Sequence, residues 1–253
     1  MTASDHPSYP NPTIQEAVCD IIFRPQGGTW DPLAFGQFID RVKIEFPLIE
    51  AVPVPMFNLQ IGVNIGQNPS PSVQAQQIFR FKHKSRPLLL QLSENRIAVH
   101  VIGNYPGWVQ FKKDIEYTWK RVVDVIHPEA ILRVGLRYIN RIERSAPGET
   151  PGKWFASTDY VPQAILNSHP GFLFQIQVRP SESERISVVI AEINSPAAHG
   201  AFVFDIDRAL ERETSADLVS LLVETERLHH DVWEVFSSAK TDKLERLLKG
   251  DLS

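Results

Sequence analysis

The segment from Leu132 to Glu143 constrains the fold more than any other part of the chain, because it alternates with a period of two. Leu132, Val134, Leu136, Tyr138, Asn140 and Ile142 fall on one side, and Arg133, Gly135, Arg137, Ile139, Arg141 and Glu143 on the other. Alternate residues of a strand share a face. Such a segment fits a sheet with one face on a core and the other carrying charge. Wound into a helix, it would scatter both sets around the circumference.

The rest of the sequence supplies partners for that strand. Ile14 to Phe23 reads as a strand stopped by Pro25-Gln26-Gly27-Gly28. Asp31 as N-cap and Pro32 as first residue start a helix marked by Leu33, Phe38, Val42 and Phe46, which Pro47 ends. Phe57 to Ile65 alternates, and Ile78–His83, Pro87–Ser93 and Arg96–Ile102 follow, the last two joined by the tight Glu94-Asn95 turn. From Trp108 to Ile126, apolar residues recur at steps of three and four, the stripe of an amphipathic helix. After a loop-rich stretch with a short helix around Tyr160 to Asn167 come strands at Phe172–Arg179, Ile186–Ile193 and Ala201–Asp207. A closing helix runs from Ser215, its expected N-cap, to Leu248, with a break near Ser237-Ser238 and a restart at Thr241.

The expected fold is α+β: a largely antiparallel twisted sheet in two pseudo-repeated halves, each closed by a long amphipathic helix. Residues 1–12 form an extended or disordered lead. Residues 13–253 form a single domain whose halves are 13–128 and 129–253. Short connections between strands favour antiparallel pairing over parallel crossovers.

Composition narrows the function classes. With 43% hydrophobic residues among 253, a sizeable core is affordable. The net charge of −4 argues against a general nucleic-acid coat, which needs an excess of Lys and Arg. The single cysteine, Cys19, can form neither an internal disulfide nor a multi-cysteine zinc site, and its apolar run makes it a core residue. No secretion signal or membrane-length apolar run is present, so a cytoplasmic location is expected.

Pro10-Asn11-Pro12 with Glu16-Ala17-Val18, Tyr105-Pro106-Gly107-Trp108, Leu136 to Ile142, and Leu228-His229 with Val235-Phe236 resemble segments of a sporadically distributed bacterial family of similar length and no established function. The resemblance spans nearly the whole chain. It implies one family-wide fold and a bacterial setting tied to mobile elements or defence, and it supplies no catalytic residues.

Arg133, Arg137 and Arg141 form a row suited to phosphate or carboxylate. The competing and preferred reading pairs Arg137 or Arg141 with Asp205 or Asp207 across the sheet. Asn140 falls on the apolar face beside Tyr138. There it either satisfies backbone groups at a bulge or sheet end, or faces a ligand; unpartnered, it costs about 1–3 kcal/mol. His229-His230 point about 100° apart on a helix and cannot chelate one ion well. No metal, cofactor or catalytic motif stands out. Tyr105, Trp108, Phe111 and Trp119 read as core. Trp154, Phe155 and Tyr160, on an irregular stretch, are candidates for a partner contact, set against loop anchoring.

The leading functional expectation is a non-catalytic protein-interaction or sensing module with a protein partner or a second copy. The alternative is a small-molecule or anion-binding protein, or an enzyme without a readable motif, with its pocket between sheet and helix. Nucleic-acid and membrane partners are not expected.

Overall fold

The computed structural model describes residues 6–56, 74–168, 171–193 and 199–251. In chain order its elements are β1 (Ile14–Arg24), α1 (Pro32–Val42), β2 (Leu48–Met56), β3 (Gln74–Lys82), β4 (Leu88–Ser93), β5 (Arg96–Ile102), α2 (Trp108–Ile126), β6 (Ala130–Glu143), α3 (Gln163–Leu166), β7 (Leu173–Ser181), β8 (Glu184–Ile193), β9 (Ala201–Leu210), β10 (Thr214–Ser215), α4 (Leu218–Ser238) and α5 (Asp242–Lys249).

The strands form one sheet in the order β2-β3-β4-β5-β1-β6-β9-β8-β7, with β10 paired to β6. Every pairing is antiparallel. The fold is therefore α+β around a large antiparallel sheet that does not close into a barrel. Strand β6 lies near its middle, between β1 and β9.

The period of two places β6 as expected. Val134, Leu136, Tyr138, Asn140 and Ile142 are buried, and the arginines lie on the opposite face. Helix α4 packs against β6 and β9, and α2 against α1, α4 and β5. Between sheet and helices lies one continuous core, including Cys19, Phe23, Phe111, Trp119, Leu136, Phe204 and Phe236.

Helix α2 begins at Gly107, whose φ of 87° is a left-handed value that a side chain would strain. That turn places Trp108 against His229 of α4 and Tyr105 against Tyr138 of β6. The helix ends at His127 in the left-handed conformation, directly before Pro128.

One strand was not foreseen, one expected strand lies outside the described residues, and two expectations need correction. Strand β2 was not among the expected strands; it lies at the edge of the sheet formed by the described residues, where its Pro53 and Pro55 are tolerated. The expected strand Phe57–Ile65 lies outside the described residues. Ser215 belongs to β10, and Asp217 caps α4 by accepting from the Ser220 amide at 2.8 Å. Trp154 and Phe155 are buried, with Phe155 edge-on to Phe204 at 5.2 Å, and Tyr160 is partly buried against the core. Trp154 and Phe155 thus anchor their loop and have no surface to offer a partner.

The lead is also tied down from His6 onward. The Asn11 amide donates to the Leu248 carbonyl at 3.1 Å, and its side chain donates to the Leu247 carbonyl at 3.0 Å. Among the described residues, no helix is long and apolar enough to cross a membrane.

Candidate functional site

A cavity of about 480 Å³ opens between β6, the turn before α2, helix α4 and the lead segment. Its floor is Tyr138 and Asn140 of β6, and one wall is Tyr105 to Val109. The opposite wall is His229, Val232, Trp233 and Phe236, which recur at helical spacing and so share one face of α4. Residues from His6 to Thr13 border it on a further side.

Besides His6, Ser8, Tyr9 and Thr13 of the bordering lead, polar groups enter this aromatic enclosure at three points. The first is a phenol pair, with the Tyr105 and Tyr138 hydroxyl oxygens 3.0 Å apart. Burial pushes both phenol pKa values up, so both keep their protons at neutral pH.

The second is Asn140. Its Oδ1 accepts from the Thr13 hydroxyl at 3.0 Å, and its Nδ2 donates to the Phe204 carbonyl at 3.2 Å. The β1–β6 register shifts between Ile14 and Glu16, opposite this residue. Both expectations for Asn140 therefore meet at one place, since it satisfies a backbone group beside a bulge and also lines a cavity.

The third is His229. Its ring stacks on Trp108 with centroids 4.1 Å apart and planes 3° from parallel. Its Nδ1 is buried with no hydrogen-bond partner. Burial, with the neighbouring His6 adding to it, pushes its pKa down to about 3. The imidazole is therefore neutral at pH 7 and a poor proton acceptor, which suits hydrogen bonding better than general-base catalysis.

No Asp, Glu, Lys or Arg is among the lining residues. Charges close by are already matched. Glu226 accepts from Trp108 Nε1 at 3.1 Å and from Lys112 Nζ at 2.5 Å. Lys240 donates to both Tyr9 and Glu245 at 2.6 Å, which holds Glu245 at a pKa of about 2. The lead segment rests on this frame: His6 stacks on Trp233 at 4.9 Å and on His230 at 5.3 Å. Among the described residues no group of three His, Cys, Asp or Glu is placed to hold a metal ion.

The arginine row lies on the opposite face of β6, away from the cavity. Arg137 is bidentate to Asp205, at 2.9 and 2.5 Å. Arg133 pairs with Asp20, which also takes Arg96, and reaches Asp207 at 3.8 Å. Gly135 leaves room for the Arg133 guanidinium, which would lie 2.8 Å from a Cβ there. Arg141 pairs with Glu143 at 2.7 Å. The ion-pair reading of this row is the one the geometry carries, through Arg137 and Asp205.

Of the residues singled out from the sequence, Tyr138 and Asn140 line the cavity, the arginines lie on the opposite face, and Trp154 and Phe155 sit in the core. Tyr105 and Trp108 are only partly buried and wall the cavity, whereas Phe111 and Trp119 are core as expected. His229 was missed. Its signal was its position three residues before Val232 on the apolar stripe of α4, a place where a histidine is buried.

No protein-family model matches the chain. No curated protein matches it either.

Proposed function

We propose that this protein binds a small, largely apolar molecule in the cleft between β6 and α4. The observation that carries the reading is the buried, partnerless His229 Nδ1 at the wall of a preformed aromatic cavity. Buried polar atoms without partners are uncommon, and one beside a cavity is a place for a ligand. The low pKa of His229 and the absence of carboxylates from the lining favour binding over acid–base catalysis.

Two further points support it. The segments that carry the bacterial-family resemblance border this cavity through Pro12, Tyr105 to Trp108, Tyr138, Asn140, His229 and Phe236. The two-halves organisation is supported by the strand order, in which β5-β1 faces β6-β9 about the middle of the sheet. The cleft then lies near the join between the halves.

The test is saturable binding of a neutral apolar dye, N-phenyl-1-naphthylamine. One-to-one binding is expected, and it is lost in Val232→Trp, which fills the cavity. A Val232→Trp protein of native circular dichroism that binds the dye as well as wild type does would overturn the reading.

A second reading, a protein partner or second copy as part of a sensing module in a bacterial cytoplasm, draws on the exposed Ile44, Leu48 and Ile49 at the β2 edge. Light scattering tests it: a monomer at every concentration would argue against the second copy.

A further inference from the structure

We infer that the ligand of this cleft is an uncharged molecule presenting a hydrogen-bond acceptor, a carbonyl or ether oxygen, to the Tyr105–Tyr138 phenol pair. This rests on the cleft being a ligand site and names what the site selects.

Hydrogen-bond accounting leads there. Two phenols carry two O–H hydrogens, and the single 3.0 Å contact between their oxygens uses one of them. The second hydrogen needs an acceptor. Asn140 Oδ1 accepts from Thr13, and neither phenol is within hydrogen-bond reach of it. His229 Nδ1 has no partner within hydrogen-bond distance, so it does not take that hydrogen either. The floor of an apolar cavity thus presents one spare donor, and an oxygen from a ligand completes it.

The charge of the ligand follows from the walls. A carboxylate or phosphate would enter a space whose lining holds no cation. The nearby ammonium groups, Lys112 and Lys240, are engaged by Glu226 and Glu245. A cation would be drawn to the aromatic faces, but it would meet an O–H donor and find no carboxylate in the lining. An uncharged, acceptor-bearing, flat molecule meets the spare phenol hydrogen and the uncharged walls, and the stacked Trp108–His229 pair gives a flat ring a surface to lie along.

The test is displacement of N-phenyl-1-naphthylamine from the full-length protein by four probes of one shape: naphthalene, 2-acetylnaphthalene, 2-naphthoate and 2-naphthyltrimethylammonium. In the wild type, 2-acetylnaphthalene is expected to compete about tenfold better than naphthalene, the difference one hydrogen bond makes. Both charged probes compete worse than naphthalene. In the Tyr105→Phe/Tyr138→Phe double variant, which keeps both rings and removes both hydroxyls, the ketone loses its advantage and naphthalene is unchanged. Equal competition by naphthalene and the ketone in the wild type overturns the acceptor assignment while leaving the cleft as a binding site, as does tighter binding of either charged probe. A dye that never binds removes the cleft reading itself. The wild-type ranking decides the matter even if the double variant fails to fold.

Discussion

On the helix-covered face of β6, Tyr138 and Asn140 bring polar atoms into an aromatic enclosure that leaves one phenol hydrogen and the Nδ1 of His229 without partners. On the opposite face of the same strand, Arg133 and Arg137 are matched to Asp20, Asp207 and Asp205. Farther along that face, Arg185 reaches Asp207 and Glu211, both at 3.0 Å, and Arg179 reaches Glu211 at 3.0 Å. A matched network holds register between strands. On the proposed ligand-binding reading, the unmatched polar atoms beside the cavity are met by a ligand. On that reading, charge alone points to the wrong face, and the informative quantity is the balance of donors and acceptors.

The largest expected effect separates the faces by pH. His229 is held at a pKa of about 3 in the fold against 6.5 when unfolded. The unfolded state therefore binds the extra proton between those values, and stability is complete above about pH 7 and falls as pH drops through 6.5 toward 3. At about 1.4 kcal/mol per pH unit the gap allows up to roughly 5 kcal/mol at pH 3. Urea midpoints of wild type and His229→Phe should diverge across that window, with the variant the flatter. Parallel curves would mean that the imidazole is not held neutral.

Next is Asp20→Ala on the matched face. It strips Arg96 and the largely buried Arg133 of their shared carboxylate. A loss of about 2–4 kcal/mol is expected in urea melts, with dye affinity unchanged. A loss of dye binding in a folded Asp20→Ala protein would tie the two faces together.

Thr13→Val removes the hydroxyl that joins the lead segment to Asn140. A cost of about 1 kcal/mol is expected, together with faster dye dissociation in stopped flow. Unchanged dissociation would mean that the Thr13 contact does not affect ligand escape from the cleft. The smallest effect on the cleft is that of Arg137→Ala, which strands the buried Asp205 carboxylate on the opposite face. It should cost about 1–3 kcal/mol in urea melts and leave dye and phosphate titrations as in wild type; a phosphate signal that vanished with Arg137 would revive the anion reading.

Much of the fold was legible in the sequence, element by element. The alternation of β6, the stripe of α2 and the turn at Glu94-Asn95 depend on local periodicity and turn chemistry, which a reader of the sequence can follow. The break before Thr241 is of the same kind, because Thr241 caps α5 by accepting from the Leu244 amide. Strand β2 was hidden because its prolines are compatible with a strand only at a sheet edge, and edge position is a property of the whole sheet. Trp154 and Phe155 were ambiguous for a related reason: an irregular stretch has no periodicity to say which side of it faces inward.

Half of the candidate site could be named in advance. Tyr138 and Asn140 stood out because a polar amide on an apolar strand face violates the pattern around it. His229 did not, because beside His230 it reads as a failed chelating pair, while its Trp108 partner lies on another helix.

By itself, the sequence determined most of the secondary structure, the face of β6 that carries charge and the one that meets the core, because those follow from side-chain spacing along one element. Only the tertiary structure decided which polar groups are satisfied. Partners such as Thr13 for Asn140 and Asp205 for Arg137 are distant in the chain, and the antiparallel register that brings them together is a property of the assembled sheet.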